Sequence, residues 1–119
     1  MRRSTTVAAS FAAFALALAL PASAQAATGG FSYKFVGMDG TARSVTLNDL
    51  PSRQCVTLPE AADPNSSEPA FAPHNDTDEY AVVFTGPDCE GASWTLRPHG
   101  RPATDFLKLR SVFLTSPQG

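Results

Sequence analysis

The sequence predicts an all-β protein, a β-sandwich made of two similar motifs and crosslinked by one disulfide. Six short segments show the two-residue alternation or the β-branched composition of strands, and no stretch after residue 26 keeps a helical period. The stretch FVGMDGTARSVTL at 35–47 recurs 49 residues later as FTGPDCEGASWTL at 84–96, with six identities in thirteen positions. Chance similarity is the alternative explanation. The matching order of strands and turns in the two copies favours a true repeat.

Residues 1–26 have the features of a secretory signal peptide. Arg2 and Arg3 precede an apolar run from residue 7 to residue 20, and small residues follow. Cleavage fits after Ala24 or after Ala26. The run is short for a membrane span, which needs about 20 residues, although an uncleaved anchor is the alternative. We therefore expect a secreted, extracellular protein with a single domain at 27–119.

The charge of the mature chain limits its partners. Without Arg2 and Arg3, seven of the nine Lys and Arg residues remain against eleven Asp and Glu, a net charge of −4. No basic patch is left for nucleic acid, and an acidic protein is not attracted to anionic membranes. We expect a monomer that binds neither.

The predicted strands fall into two groups of three. Motif one, 31–58, contains FSYKF at 31–35, RSVTL at 43–47 and QCVTL at 54–58. Motif two, 80–115, contains EYAVVF at 79–84, ASWTL at 92–96 and LRSVFL at 109–114. Gly, Pro, Asp and Asn separate the strands, as turns require. We expect QCVTL and SVFL to close their motifs, and the two apolar faces to cover each other.

Cys55 and Cys89 are the only cysteines. Export to an oxidising compartment favours a structural disulfide between them. Such a bridge closes a loop of about 35 residues and contributes about 3–4 kcal/mol in the chain-entropy model. A redox pair or a metal pair is the alternative, but the sequence has no CxxC and no histidine at ligand spacing.

The second copy resembles a known family. Phe84-Thr-Gly-Pro-Asp-Cys89-Glu-Gly91 is similar to the βγ-crystallin Greek-key motif of aromatic, four residues, aromatic, one residue and Gly, with Cys89 at the second aromatic position. Ser111-Val112 matches a Ser-Val pair that opens the last strand in small secreted actinobacterial proteins of this type. The first copy departs from the motif, because Gly40 and Ala42 replace the second aromatic and the Gly.

The resemblance implies a two-motif Greek-key sandwich over about residues 31–115. It implies that the disulfide joins Cys55, on the last strand of motif one, to the hairpin of motif two. Some proteins of this shape inhibit extracellular metalloproteinases, and others resemble small killer toxins. Fold alone does not fix function.

The resemblance also points to a calcium site. Calcium-binding motifs of this family carry two Asn or Asp residues, two spacers, a Ser or Thr and a Ser. The segment 48–53 matches five of these six positions, with Asn48 and Asp49 first, two spacers next and Ser52 fifth. Their oxygens are ligands that Ca²⁺ accepts. Arg53 places a cation at the sixth position. A plain turn is the alternative, since Asn, Asp, Pro and Ser are turn formers.

Residues 59–79 are predicted as a loop between the motifs. Pro69 and Pro73 flank Phe71, an isolated aromatic that a stiffened, exposed loop would present to a partner. Rigidity lowers the ordering cost of binding, as a protease inhibitor requires. The alternative is a solvated linker with Phe71 packed back onto the sandwich.

Catalysis is not expected. His74 and His99 are the only histidines, no nucleophile elbow is present, and both cysteines are expected to be oxidised. The sequence therefore favours a secreted, non-catalytic protein-binding module that inhibits an extracellular protease. The alternatives are a calcium-binding module stabilised by its ion, and a secreted toxin-like or antimicrobial protein. No other cofactor is expected.

Overall fold

A computed structural model describes residues 26–116 of the chain. The predicted signal peptide therefore lies outside the described residues, apart from Ala26. Ala26 forms an isolated bridge with Pro51, and the neighbouring Ala27 is buried and donates from its backbone N–H to the carbonyl of Leu50. The described chain thus starts in contact with the turn that carries the predicted calcium ligands.

Eight strands form two antiparallel sheets of four strands each. The first sheet has the order β2-β1-β4-β7, with β1 at Gly29–Val36, β2 at Ala42–Asn48, β4 at Ala70–Thr77 and β7 at Lys108–Leu109. The second has the order β3-β8-β5-β6, with β3 at Cys55–Thr57, β8 at Ser111–Thr115, β5 at Tyr80–Phe84 and β6 at Ser93–Leu96. Two short 3-10 turns lie at Pro59–Ala61 and Pro87–Cys89. The all-β prediction is confirmed.

One apolar core lies between the two sheets. Phe31 and Tyr33 of β1 are buried from one side, and Val83 of β5 with Val112 and Leu114 of β8 are buried from the other. Phe31 and Tyr33 are two residues apart, as are Val112 and Leu114, because successive residues of a strand point to opposite faces of the sheet. The alternation seen in the sequence therefore sets which face of each strand is buried, and the molecule has a sandwich-like architecture.

The described chain has two halves, β1–β4 and β5–β8. The third strand of each half lies in the sheet that contains the first two strands of the other half. β3 pairs with β8 in the sheet of β5 and β6, and β7 pairs with β4 in the sheet of β1 and β2. The expectation that QCVTL closes motif one is wrong, because β4 follows it and joins the sheet of β1 and β2, whereas SVFL lies in the last strand of the described residues. They form β3 and β8, which pair directly with each other, Val56 opposite Val112.

The predicted loop at 59–79 contains a strand, so that part of the prediction is wrong. β4 occupies Ala70–Thr77 and has β1 on one side and β7 on the other. Its register to β1 shifts between Ser32 and Lys34, and Ala72 has a positive φ of 52°. A bulge of this kind accommodates Pro73, which lacks the N–H that an inner strand normally uses. Only 59–69 remains a connection.

Candidate functional site

The predicted calcium segment forms a turn with its own hydrogen bonds. Asp49 has a φ of 54°, and its Oδ1 accepts a 3.3 Å hydrogen bond from the backbone N–H of Gly29. Ser52 donates from Oγ to the Glu79 carboxylate at 2.7 Å, and the exposed Arg53 points its backbone N–H at the Leu114 carbonyl. Among the described residues no three His, Cys, Asp or Glu side chains are grouped to hold a metal ion. The hydroxyl of Ser52 is thus in contact with one carboxylate, which belongs to Glu79 outside the segment.

Phe71 lies on an inner strand, and this differs from the exposed position that the sequence predicted. It is half-buried on β4, and the Lys108 ammonium lies 4.8 Å from its ring centroid. Pro73 is fully buried, and Pro69 is half-buried just before the strand. A loop that presents Phe71 between two exposed prolines is therefore absent from residues 59–79.

The predicted disulfide between Cys55 and Cys89 is confirmed, with a Cα–Cα distance of 5.9 Å. Cys55 begins β3, and Cys89 lies in the turn between β5 and β6. The bridge therefore joins a strand from the first half of the chain to the hairpin of the second half. Among residues 26–116 no cysteine is free.

The hairpin turn that carries Cys89 is held by several further hydrogen bonds. The hydroxyl of Ser111 accepts from the Cys89 backbone N–H at 2.8 Å and donates to the Gly86 carbonyl at 2.7 Å. The Thr57 hydroxyl accepts from the backbone N–H of Asp88 at 3.0 Å. Asp88 and Cys89 both have a φ of 59°. The turn is thus fixed to β3 and β8.

The two histidines fasten the long connection after β6 to β4. The ring nitrogen Nε2 of His74 lies 2.9 Å from the carbonyl oxygen of Gly100, and Nδ1 of His99 lies 2.9 Å from Oδ1 of Asp76. The hydrogen bond to His99 lowers the pKa of the Asp76 carboxyl. Both histidines therefore serve in side-chain contacts between two segments of the chain.

An apolar groove opens at the side of the molecule where β6 and β7 end their sheets. It has a volume of about 440 Å³ and is lined by Thr85, Trp94, Ala103, Thr104, Phe106 and Leu107, with Lys108 at its side. The aromatic pair is exposed, Trp94 by 54% and Phe106 by 89%. Contiguous exposed apolar surface marks interaction sites more often than scattered residues do.

The groove is an uncovered edge of the hydrophobic core. Trp94 lies directly opposite Val83 in the β5–β6 ladder, and paired residues in an antiparallel ladder project to the same face. Val83 is fully buried on the core face, so Trp94 faces the same way yet remains more than half exposed. The opposite sheet ends at the two-residue strand β7 and does not extend over the indole.

Sequence reasoning missed this groove. Trp94 fits the predicted strand ASWTL, where an aromatic residue needs no functional explanation. Phe106 lies in the polar connection RPHGRPATDF, and its position there resembles the isolated aromatic that drew attention to Phe71. The isolation of Phe106 was a usable pattern in the sequence. Its pairing with Trp94 across the groove depends on the fold.

A second, more polar depression lies beside the β1–β2 hairpin. Val36 is 44% exposed, and Met38 is fully exposed at the hairpin tip. The 59–69 connection lines the opposite wall with Glu60, Asp63 and Glu68. Its acidic lining distinguishes this depression from the groove at Trp94, which has Lys108 as its charged lining residue.

Comparison with family models found no match, and comparisons with curated proteins and with solved structures found no similar protein. Within residues 26–116, no helix has the length and apolar character needed to cross a membrane.

Proposed function

We propose that this protein is a secreted, non-catalytic protein-binding module of the βγ-crystallin Greek-key type, and that it inhibits an extracellular protease. The exchange of β3 and β7 between the two halves supports the two-motif relationship. The two hairpins, β1–β2 and β5–β6, lie at the two copies of the 49-residue repeat, which supports the same relationship. The disulfide between β3 and the β5–β6 turn is the crosslink that this resemblance implies.

The observation that carries the binding function is the exposed pair of Trp94 and Phe106 across one groove. Trp is enriched among the few interface residues that dominate binding energy, and such residues cluster in pockets that a partner desolvates. Burying two aromatic side chains on binding removes large apolar areas from water. An indole that is more than half exposed gains little free energy from burial in the free protein. A partner that covers Trp94 accounts for its position on the core face of β6.

Preorganisation supports an inhibitor in particular. Thr85 lines the groove and begins the hairpin turn that the disulfide and the Ser111 hydroxyl hold in place. The rigid turn and the apolar groove therefore adjoin each other. A surface that is already ordered loses little conformational entropy on binding, which is how tight inhibitors reach high affinity at ordinary interface sizes.

The non-catalytic part of the proposal rests on where the reactive side chains lie. Both cysteines form the disulfide and have no thiolate to offer. His74 contacts a backbone carbonyl, and His99 contacts the exposed Asp76 carboxylate. Nucleophilic catalysis by a Ser–His or Cys–His pair needs the histidine in hydrogen-bond reach of the Ser or Cys, and no such bond occurs among residues 26–116.

The experiment is a titration of purified secreted proteases with the oxidised mature protein. A thermolysin-type zinc protease comes first, followed by one serine and one cysteine protease. We expect one of them to lose activity at a 1:1 ratio and to co-elute with the protein on size exclusion. Trp94→Ala and Phe106→Ala should each weaken the complex by about tenfold or more, since truncating an anchor residue costs at least 1–2 kcal/mol.

Met38→Ala is the matched control, because Met38 is also a large, exposed apolar residue but lies at the β1–β2 hairpin. Its complex should keep the affinity of the unmodified protein. The proposal is overturned if no protease class is inhibited at ~10 μM protein, well above the affinity range of protease inhibitors. Equal losses from Met38→Ala and Phe106→Ala would remove the groove as the binding surface.

A second candidate function is calcium binding at Asn48, Asp49 and Ser52. The observation in its favour is the 2.7 Å contact between the Ser52 hydroxyl and the Glu79 carboxylate, which places two oxygen ligands together. A bound ion would stabilise the fold by about 2.7 kcal/mol at one hundred times its Kd. Asp49 would first have to release the N–H of Gly29.

Thermal melts with millimolar calcium and with chelator test this candidate. Binding should raise Tm by roughly ten degrees or more for a domain of this size. Asp49→Asn should remove most of that gain while keeping a residue that tolerates positive φ, and Asp105→Asn, at an exposed carboxylate elsewhere, should keep it. Identical melts with calcium and with chelator exclude the site.

A further inference from the structure

The first described residues are part of the folded domain, and their contacts distinguish between the two cleavage sites that the sequence leaves open. We propose that the signal peptide is removed after Ala24, and that the new N-terminal residue, Gln25, then cyclises to pyroglutamate. The mature protein begins with a neutral lactam in place of a charged amine. This inference rests on the secretion in the proposed function and not on the groove.

The pairing of Ala26 is the first observation. Ala26 forms an antiparallel bridge with Pro51, in the connection between β2 and β3. Cleavage after Ala26 removes this residue from the mature chain. Cleavage after Ala24 keeps it, together with one residue before it. Of the two sites, only the one after Ala24 leaves every described residue in the mature protein.

The burial of Ala27 is the second observation. Ala27 is 1% exposed and belongs to the core cluster, and its backbone N–H donates to the Leu50 carbonyl at 2.9 Å. As part of a peptide bond, this nitrogen has one hydrogen, which the bond to Leu50 satisfies. At the end of a chain cleaved after Ala26, the same nitrogen is an ammonium with three hydrogens. A buried charge costs far more free energy than a buried, hydrogen-bonded amide.

Two carboxylates contact the residues that follow Ala27, and both already have backbone partners. Oδ1 of Asp78 accepts from the N–H of Thr28 at 2.9 Å, and Oδ1 of Asp49 accepts from the N–H of Gly29 at 3.3 Å. Asp49 and Asp78 are exposed, so solvent screens their attraction for an ammonium at Ala27. Their attraction therefore does not replace the hydration that a buried ammonium loses.

The cyclisation follows from the chemistry of glutamine at a chain end. The neutral α-amine of Gln25 attacks its own side-chain carbon Cδ, and the new N–Cδ bond closes a lactam ring. The Cδ–Nε2 bond breaks, and the side-chain nitrogen leaves as ammonia with the hydrogen that the amine gives up. The step needs no oxidant, metal or co-reactant, and it removes the terminal charge, as N-acetylation does. Aminopeptidases act on a free α-amine, so the lactam protects an extracellular chain from them.

Mass spectrometry of the secreted protein tests both steps. The full precursor is expressed with its own signal peptide in a secreting bacterium, and protein from the medium is measured intact and as N-terminal peptides. We expect one species that starts at Gln25 and is lighter than the linear chain by one ammonia. A start at Ala27, or at any residue before Gln25, overturns the cleavage site. Retention of the uncleaved precursor in the cells overturns the inference as a whole.

Gln25→Ser is the matched variant for the cyclisation, because it keeps Ala22 and Ala24 before the cleavage site but has no side-chain amide. It should have the mass of its linear chain and should be shortened by an aminopeptidase that leaves the unmodified protein intact. An amine that is still free on Gln25 after several days at neutral pH overturns the cyclisation. Equal shortening of the two proteins overturns the protective role.

The structural reason is tested with mature proteins that start at Gln25 or at Ala27, each released from a cleavable fusion and oxidised. We expect the protein that starts at Ala27 to melt several degrees lower, since it lacks the Ala26 bridge and has a charge at a buried nitrogen. N-acetylation of that protein should recover part of the difference, because it removes the charge and leaves Ala26 absent. Equal melting of the two starts overturns burial as the reason for the cleavage site.

These outcomes are distinct from those of the protease titration. A secreted protein that starts at cyclised Gln25 and inhibits no protease removes the inhibitor from the proposed function and supports this inference. A protease inhibitor that starts at Ala27 with a free amine does the reverse.

Discussion

The guanidinium of Arg110 donates from Nη2 to the carbonyl oxygen of Ser67 at 2.9 Å, although the two residues are 43 positions apart. Its Nη1 donates to the Ala61 carbonyl at 3.0 Å and to the Ser67 hydroxyl at 3.2 Å. Arg110 is only 8% exposed. A buried cation between β7 and β8 thus holds the 59–69 connection against the sandwich, with backbone carbonyls as its partners.

Replacing Arg110 should therefore destabilise the protein strongly. Arg110→Met keeps much of the side-chain volume but leaves the buried Ala61 carbonyl and the Ser67 carbonyl without their donor. We expect a loss of about 2–4 kcal/mol in the free energy of unfolding, measured by urea denaturation at neutral pH. Arg97→Met, at an exposed arginine, is the control and should change stability by less than about 0.5 kcal/mol. Equal effects of the two variants would contradict a structural role for Arg110.

Stability should also fall at alkaline pH because of Tyr33. Burial, assisted by the 2.6 Å hydrogen bond that its hydroxyl donates to Glu60, raises the pKa of Tyr33 far above its usual value of 10.0. The unfolded chain loses this proton near pH 10, whereas the folded protein retains it. The contribution of Tyr33 is therefore fully present below pH 10 and is lost as the pH rises toward its folded pKa.

Urea midpoints measured from neutral pH to pH 12 test this sign. The unmodified protein should lose stability steeply above pH 10, and Tyr33→Phe should lose less over the same interval because it has no phenol to ionise. Glu60→Gln should lie between them, since burial remains and the carboxylate is gone. Parallel curves for the unmodified protein and Tyr33→Phe would show that Tyr33 ionises normally in the folded state.

Loss of the disulfide should lower stability without unfolding the strands around it. The bridge closes a segment with a sequence separation of 34, and the chain-entropy model assigns it about 3–4 kcal/mol. We expect the double variant Cys55→Ala/Cys89→Ala to melt at least ten degrees lower. The Ser111 hydroxyl still donates to Gly86, and the Thr57 hydroxyl still accepts from Asp88, so the turn remains held. The far-UV circular dichroism spectrum of the native β-sheets should therefore persist at low temperature. A disordered double variant at 5 °C would contradict this.

A buried amide on β4 should tolerate no charge. Asn75 is 1% exposed, and its Nδ2 faces the carbonyls of Glu79, Leu96 and Arg97 at 2.7–3.2 Å. Asn75→Asp replaces a donor by a carboxylate that faces the same carbonyls, so we expect a loss of about 3–5 kcal/mol at neutral pH.

Asn48→Asp is the matched control, since Asn48 is exposed at the end of β2. It should change the free energy of unfolding by less than about 0.5 kcal/mol. Both variants are compared by urea denaturation under the same conditions. A small effect of Asn75→Asp would mean that the site opens to water and that its three carbonyl contacts do not persist in solution.

The features that depend on neighbouring residues could be predicted from the sequence. Alternation over FSYKF and EYAVVF identified β1 and β5, because a strand's two faces are set by residue parity. Gly, Pro and Asp located the turns, since only certain residues adopt turn geometry cheaply. Two cysteines, in a chain whose N-terminal segment predicts export, were enough to predict the disulfide. Each of these inferences needs only local patterns or a single possible pairing.

β4, the strand exchange and the groove could not be predicted from the sequence, because they depend on contacts between distant residues. β4 buries Asn75 and Thr77, which the sequence presents as polar loop residues, because the Asn75 amide donates to the carbonyl of Arg97, 22 positions away, and accepts from the Thr77 hydroxyl. Its bulge at Ala72 breaks the alternation by which a strand is recognised. Likewise, Trp94 is exposed because the opposing sheet ends at a short β7. Long-range pairing and the lengths of opposing strands set these features, and no local window of residues contains that information.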